Sequence, residues 1–143
     1  MEAALGFGIF FIILILGGII AINVFFLLNL MKLLQACAPE NQRMGPGMVW
    51  LNLIPVFSLG WIIYTVIKVT ESLRDEYTAR GLDSGQNFAY PIGLAFSICN
   101  ACAIIPVVGG FAAIGGLVLM IIWWVKMAGF RKELTNNTVQ QVS

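Results

Sequence analysis

Histidine is absent from the 143 residues, and charged residues make up only 10% of them. Without histidine the chain has no side chain poised as a general base near neutral pH, and it lacks the commonest metal ligand. A soluble domain carries about 25% charged residues, so this chain has too little charge to keep a globule's surface in water. Cysteine is scarce as well. Three residues make no disulfide framework and leave one odd thiol whatever pairs. The net charge of +1 argues against nucleic acid as a partner and against strong attraction to anionic lipid. What the chain has in quantity is hydrophobic residues, 59% of the total. One helical crossing takes about 20 apolar residues, so four would use about 80 and leave no room for a soluble catalytic domain. The composition is that of an integral membrane protein, not an enzyme, and it calls for no cofactor.

Four apolar stretches follow one another, and the expected fold is all-α, a single polytopic membrane domain over residues 1–143. The first, residues 5–31, is interrupted only by Gly17, Gly18, Asn23 and Asn29 and is long enough to span with tilt. It reads as a retained helix: a signal peptide would carry basic residues ahead of a shorter apolar stretch, whereas the only early charge is Glu2. Leu34-Gln35-Ala36-Cys37 has the look of a lipoprotein cleavage box, but Lys32 interrupts the apolar run just before it. Residues 35–47 collect Pro, Gly and polar residues and read as a loop. The second span is expected over 48–69, with Pro55 either kinking it or marking its true start. Beyond it, Val69, Leu73 and Tyr77 keep a helical stripe, and Glu76 and Arg80 form an i, i+4 pair in the favourable order. The second helix is therefore expected to continue as a cytoplasmic stalk over 70–80, stopped by Gly81. Residues 91–126 would make one helix of roughly 54 Å, too long for a hydrocarbon core of about 30 Å. Pro106-Val107-Val108-Gly109-Gly110 divides them into a third span, 90–105, and a fourth, 111–130, before a polar tail over 131–143.

With four crossings, both termini and the 70–88 connection share one side with Lys68, Arg74, Arg80, Lys126, Arg131 and Lys132, against Lys32 and Arg43 on the other. The positive-inside rule then puts both termini in the cytoplasm. Small residues at Gly93, Ser97 and Ala101, and again at Ala95, Cys99 and Ala103, face Ala112 and Gly116 as surfaces for a close hairpin of helices three and four. Ile54-Pro55-Val56 and Ile105-Pro106-Val107 form an internal echo, each ahead of a span, as a duplicated hairpin would leave.

The predicted spans hold no Asp or Glu, and Lys68 and Lys126 lie where snorkelling to the interface accounts for them. Proton-coupled transport and charge-lined pores are thereby disfavoured. Cys99 and Cys102 form a C-x-x-C whose i, i+3 spacing shares a helix face. A redox pair or half a metal site is one reading, and small hydrophobes packing in a small-residue helix is the favoured one. Cys37 and Cys102 would both lie toward the outer side, where a disulfide is chemically possible. Asn23, Asn29, Asn52 and Asn100 are the polar groups in or near the spans; Asn52 and Asn100 are the candidates for a polar site, with interhelical hydrogen bonding as the simpler role. Trp123-Trp124 ahead of Lys126, Arg131 and Lys132 reads as an interfacial belt with a basic rim facing lipid headgroups. In the stalk, Glu71, Arg74, Asp75 and Arg80 are the candidates for docking another protein, against the simpler reading of a solvated face.

The run from Glu40 to Trp50, then Leu53-Ile54-Pro55-Val56-Phe57, Gly60-Trp61 and Ser72-Leu73-Arg74-Asp75-Glu76, resembles a group of small multi-pass bacterial inner-membrane proteins that share an R-M-x-P-G-x-x-W loop leading into an I-P-containing span. Cys-Asn-Ala-Cys, Ile-Ile-Pro and Trp-Val-Lys-Met-Ala-Gly match the group's second half. The resemblance implies a bacterial inner-membrane protein with four spans and implies no activity. The function expected from the whole chain is non-enzymatic association, as an accessory or assembly subunit, in a homo-oligomer or a larger membrane complex surrounded by lipid. The alternatives are a small oligomeric channel or carrier for neutral or lipidic solutes, or redox catalysis through Cys99 and Cys102.

Overall fold

The structure is a computed structural model that describes residues 1–54, 56–83 and 85–142, with the backbone alone at 3, 4, 141 and 142. The described residues form helices and no strand. The first helix, α1 (Glu2–Ala36), is 35 residues long, about 52 Å at 1.5 Å per residue. It tolerates Asn23 because the amide donates to the Ile19 carbonyl at 2.9 Å. It stops where Cys37 turns extended and donates its N–H to Leu34 O. Two prolines then open short 3-10 helices, Pro39–Asn41 and Pro46–Leu53, since the missing N–H costs nothing in a first turn. The second α-helix, α2 (Ser58–Ala79), closes on Gly81 at φ +66, with Gly81 N–H on Thr78 O and Leu82 N–H on Tyr77 O. This is the paired C-terminal closure that a left-handed glycine permits. Phe88 and Ala89 also have positive φ. That strain is offset by burying the Phe88 ring between Tyr77 (4.9 Å) and Phe130 (5.5 Å). There follow α3 (Tyr90–Cys102), with Pro91 in its first turn, and α4 (Gly109–Val142).

The helices' directions set the architecture. Arg80 at the end of α2 bonds Ala36 O at the end of α1 and Leu134 O on α4, while Phe26 of α1 packs on Trp123 of α4. Ile19, Ser58 and Ala112 line one cavity farther along. Thus α1, α2 and α4 run parallel, and α3 runs against them. To bring two consecutive helices parallel, residues 38–54 must return beside α2. Ala38 bonds Glu76, Arg43 bonds Ser72, and Asn52 bonds Thr65. The buried core, including Leu30, Leu33, Val66, Val69, Leu73, Trp123 and Met127, sits in the half of the bundle where these three helices end.

Several expectations change. Two helices, over Leu5–Ala36 and Gly109–Gln140, are long and apolar enough to cross a membrane; four crossings are not what the helices provide. The 48–69 stretch is not one helix: its first part is the 3-10 return and α2 begins at Ser58. That leaves an apolar length of about 15 Å before Lys68, and the 13 residues of α3 reach about 20 Å, both short of a core of about 30 Å. Pro55 lies outside the described residues. The 70–80 extension is helical but not a free stalk, since Thr70, Ser72, Leu73, Glu76 and Tyr77 are buried. The 131–143 tail continues α4 through Val142 and packs by Leu134. All eight basic residues fall in the half containing the ends of α1, α2 and α4, so the six-against-two division does not hold. Parallel α1 and α4 place Glu2 and Val142 at opposite ends, contrary to the expectation of both termini on one side. The α3–α4 hairpin is present. A Cβ on Gly93 would come 2.7 Å from both Trp123 Nε1 and Val66 Cγ1, and one on Gly116 would come 3.4 Å from the Cys99 Cβ.

That closeness is testable. Gly93→Ala is expected to cost about 1–3 kcal/mol through overpacking, read as a lower Tm by tryptophan fluorescence in detergent. Gly115→Ala, whose added Cβ meets nothing within 4 Å, is expected to leave Tm unchanged or raise it.

Candidate functional site

The structure brings Asn52 and Asn100 together, with Asn23 beside them, on one cavity of about 380 Å³ enclosed by α1, α2, α3, α4 and the end of the 3-10 return. The rest of its wall is apolar apart from Ser58, and no charged side chain reaches it. Toward the charged half it is closed by Phe26, whose ring contacts Phe96 (6.1 Å) and Trp123 (5.7 Å). At the other side its rim is Ile19, Ile22 and Leu117, all exposed on the outer surface. The room exists because Ala103, Ala112, Ala113 and Gly116 are too small to fill it.

The hydrogen bonds of Asn52 fix which way its amide points. Its Nδ2 lies 2.9 Å from Val49 O and 3.0 Å from Thr65 Oγ1. The Thr65 hydroxyl spends its one proton on Trp61 O at 2.9 Å, so toward Asn52 it only accepts, as does the Val49 carbonyl. Both neighbours demand a donor, which assigns the nitrogen to that side. The Oδ1 atom is left buried with no partner. An unpaired buried acceptor costs about 1–3 kcal/mol. Asn29 Nδ2 and Trp123 Nε1 are likewise buried without a partner, deeper in the bundle.

The second cluster lies at the charged end. Glu76 is 3% exposed. Its carboxylate accepts from Ala38 N–H (2.7 Å), Asn41 Nδ2 (2.8 Å) and Arg80 Nε (2.6 Å). Arg80 donates onward to Leu134 O, Thr138 Oγ1 and Ala36 O. Burial by itself raises the pKa of Glu76, but the hydrogen bonds from Asn41, Ala38 and Arg80, with the Arg80 charge, outweigh it and hold the group below the usual glutamate value. Burial, reinforced by Glu76 and partly opposed by Arg80, pushes the neighbouring Cys37 thiol up to about 12. Tyr77 donates to Glu133 at 2.8 Å, and its pKa is raised by burial and by that carboxylate.

The other sequence candidates separate. Cys37 is buried at the charged end while Cys102 ends α3 at the opposite one, and all three cysteines are free; their pairing is excluded by position. Cys99 packs toward Gly116, and Cys102 is half-buried. Among the described residues no three His, Cys, Asp or Glu side chains gather as a metal group. Of the proposed docking residues, Arg80 is committed to the Glu76 cluster, Asp75 pairs with Arg43, Glu71 pairs with Lys68 at 2.7 Å, and Arg74 is exposed. The contributions of Asn41 and Thr138 to the Glu76–Arg80 cluster, and the neighbouring bonds of Ser72 to Arg43 and Glu133 to Tyr77, were not evident in the sequence. The available signal was the run of small polar residues, Thr65, Thr70 and Ser72, on the buried side of α2.

Because the pKa of Glu76 is lowered on folding, its contribution to stability is complete above the ordinary glutamate value of about 4.3 and is lost as pH falls through its own lower value. Glu76→Gln is expected to cost about 3 kcal/mol near neutral pH by leaving Arg80 without its counter-charge. It should also flatten the acid limb of a plot of Tm against pH; an unchanged limb would assign the acid sensitivity to other carboxylates. Compared with protein-family models, with curated proteins and with solved structures, the chain matches none.

Proposed function

We propose that this chain is a non-enzymatic membrane protein that acts by association, as an accessory or assembly subunit or as a homo-oligomer. The observation that carries the proposal is an overhang. Ile19 lies level with Ala112 and Ala113, so about 13 residues of α1, roughly 20 Å of helix, extend past the start of α4. Along this length Phe7, Phe10, Phe11 and Ile13 are exposed. Beneath it the irregular turn 103–108 is wholly apolar, with Ile104, Val107 and Val108 exposed. Non-helical backbone within a bilayer is tolerated where protein covers it, and apolar surface of this extent is suited to other membrane helices. No titratable group lines the cavity, and the buried ones at the charged end are engaged in holding helices together, which supports a role without acid–base chemistry.

On this reading the charged half faces the cytoplasm of a bacterial inner membrane. The likeness to small multi-pass inner-membrane proteins supports that compartment. With all eight basic residues at one end, the positive-inside rule is satisfied by a cytoplasmic C-terminus and a translocated N-terminus. A conducting channel is less favoured: a path from the cavity would have to pass Phe26, Phe96 and Trp123, which are buried against one another.

Two measurements test this. In intact cells, a membrane-impermeant maleimide should label a Glu2→Cys variant from outside and a Thr135→Cys variant only after lysis; labelling of both only after lysis would restore the arrangement with both termini inside. In native-lipid particles the protein should run as a defined oligomer or with a stoichiometric partner, and a uniform monomer without one would sink the association reading.

A further inference from the structure

We infer that Asn23 and Asn100 form the polar end of a lipid site in the cavity, which takes an uncharged head group that donates and accepts hydrogen bonds at once, a carboxamide being its best match. This goes beyond the association reading and does not depend on it. Asn23 lies on α1 with Ile19 and Phe26, and Asn100 on α3 with Phe96 and Ala103, each trio at the i, i+4, i+7 spacing that shares one helix face, and all six line the cavity. The Asn23 nitrogen is spent on Ile19 O at 2.9 Å, which leaves its Oδ1 as a free acceptor. The Asn100 amide makes no hydrogen bond, either to Asn23 or to any other described residue. The sealed atoms without a partner are Asn29 Nδ2, Asn52 Oδ1 and Trp123 Nε1. The free atoms of Asn23 and Asn100 are not among them, and both residues are half-buried, so these amides keep surface that an entering molecule can touch.

The free groups select the head group. Asn23 Oδ1 calls for a donor, while Asn100 offers two N–H donors and an acceptor. A primary carboxamide can answer both, with one N–H for Asn23 and its other N–H and carbonyl for Asn100. No charged side chain lines the space, so an ionised head group would enter without a counter-charge, at a cost a neutral amide avoids. The volume of about 380 Å³ lies within the range of small-molecule sites, whose walls are likewise apolar with a few polar groups. The route of access selects a lipid. Phe26, Phe96 and Trp123 close the cavity toward the charged end, whereas the rim residues Ile19, Ile22 and Leu117 are exposed and apolar. A ligand therefore arrives sideways, from among acyl chains.

The test uses the full chain in nanodiscs of phosphatidylcholine and phosphatidylglycerol with a trace of a diazirine-bearing hexadecanamide. Parallel samples contain its N,N-dimethyl derivative, which keeps the acceptor and loses both donors, or the matching fatty acid anion. Photolabelling of peptides containing Phe96 or Met120 is expected to be at least about five-fold greater with the primary amide than with the dimethyl amide, a factor typical of one hydrogen bond. Labelling of the exposed first half of α1 should be equal for both. Asn23→Leu and Asn100→Leu should each lower the preference, and Ala112→Phe, which fills the cavity, should remove labelling of the lining by every probe. Equal labelling by the two amides in the unaltered protein overturns the inference, since water would then serve Asn23 and Asn100 as well. It is overturned too by a preference for the anion, by a preference undiminished when Asn23→Leu and Asn100→Leu are combined, or by lining labels that survive Ala112→Phe. The contrast between probes in the unaltered protein decides the matter even if a variant fails to fold.

Discussion

The fold depends on a single buried carboxylate. Three parallel helices bring their C-terminal regions to one place, and a helix C-terminus carries partial negative charge on carbonyls without intrahelical partners. Arg80 meets two of those helices directly, through Ala36 O and Leu134 O, from the last turn of the third. A guanidinium so placed suits the ends of α1 and α2 and ties them to α4 eight residues before its last residue, but its side chain is only 15% exposed, and burying an isolated cation is expensive. Glu76 neutralises it at 2.6 Å and uses its remaining lone pairs on Ala38 and Asn41. The chain leaving α1 is thereby fixed at its first turn, and the return segment starts from a defined point.

That start determines where the return must end. Residues 38–54 run back along α2, with the proline-initiated 3-10 pieces Pro39–Asn41 and Pro46–Leu53, and Asn52 seats the last of them against Thr65. The return stops level with the middle of α1. Beyond it the bundle has only α1 and the tip of the α3–α4 hairpin. The small residues that let α3 approach α4 closely, at Gly93 on Trp123 and Gly116 on Cys99, leave space on the side facing α1. The cavity and the α1 overhang are thus two consequences of one topology: a helix that extends farther than the segments returning beside it.

The all-α class, the stop at Gly81 and the α3–α4 hairpin could all be read from the sequence, because each rests on local chemistry or on helical spacing; that Asn52 and Asn100 line one cavity could not, because it depends on how the two hairpins pack. Glu76 and Arg80 were visible as an i, i+4 pair, yet that spacing is identical for a solvated pair and a buried one. What distinguishes them is Asn41, 35 positions before Glu76, and Thr138, 58 positions after Arg80. Hydropathy alone made 48–69 look like one span, because Met48, Val49, Trp50 and Leu51 are as apolar in a 3-10 return as in a crossing helix. Counting basic residues by alternating crossings then assigned Lys32 and Arg43 to the wrong end. The arithmetic was sound, but the assumption that consecutive helices run antiparallel was not.

The internal echo acquires a different meaning from the one its position first suggested. The pair α1 and α2 is parallel while α3 and α4 is antiparallel, so those two pairs are not copies of one hairpin. The Ile-Pro-Val sequences instead fall between the arms of two shorter hairpins, the Pro46–Leu53 return with α2, and α3 with α4. Each has a short descending arm and a long ascending one. Each descending arm carries an asparagine near its tip, Asn52 in one and Asn100 in the other, and both line the same cavity. An asparagine at such depth is tolerated where its amide finds a partner. Asn52 satisfies its nitrogen within its own hairpin and leaves its oxygen buried without a partner. Two hairpin tips of this kind, held side by side against α1, are sufficient to enclose a polar spot in an otherwise apolar bundle, and neither would do so alone.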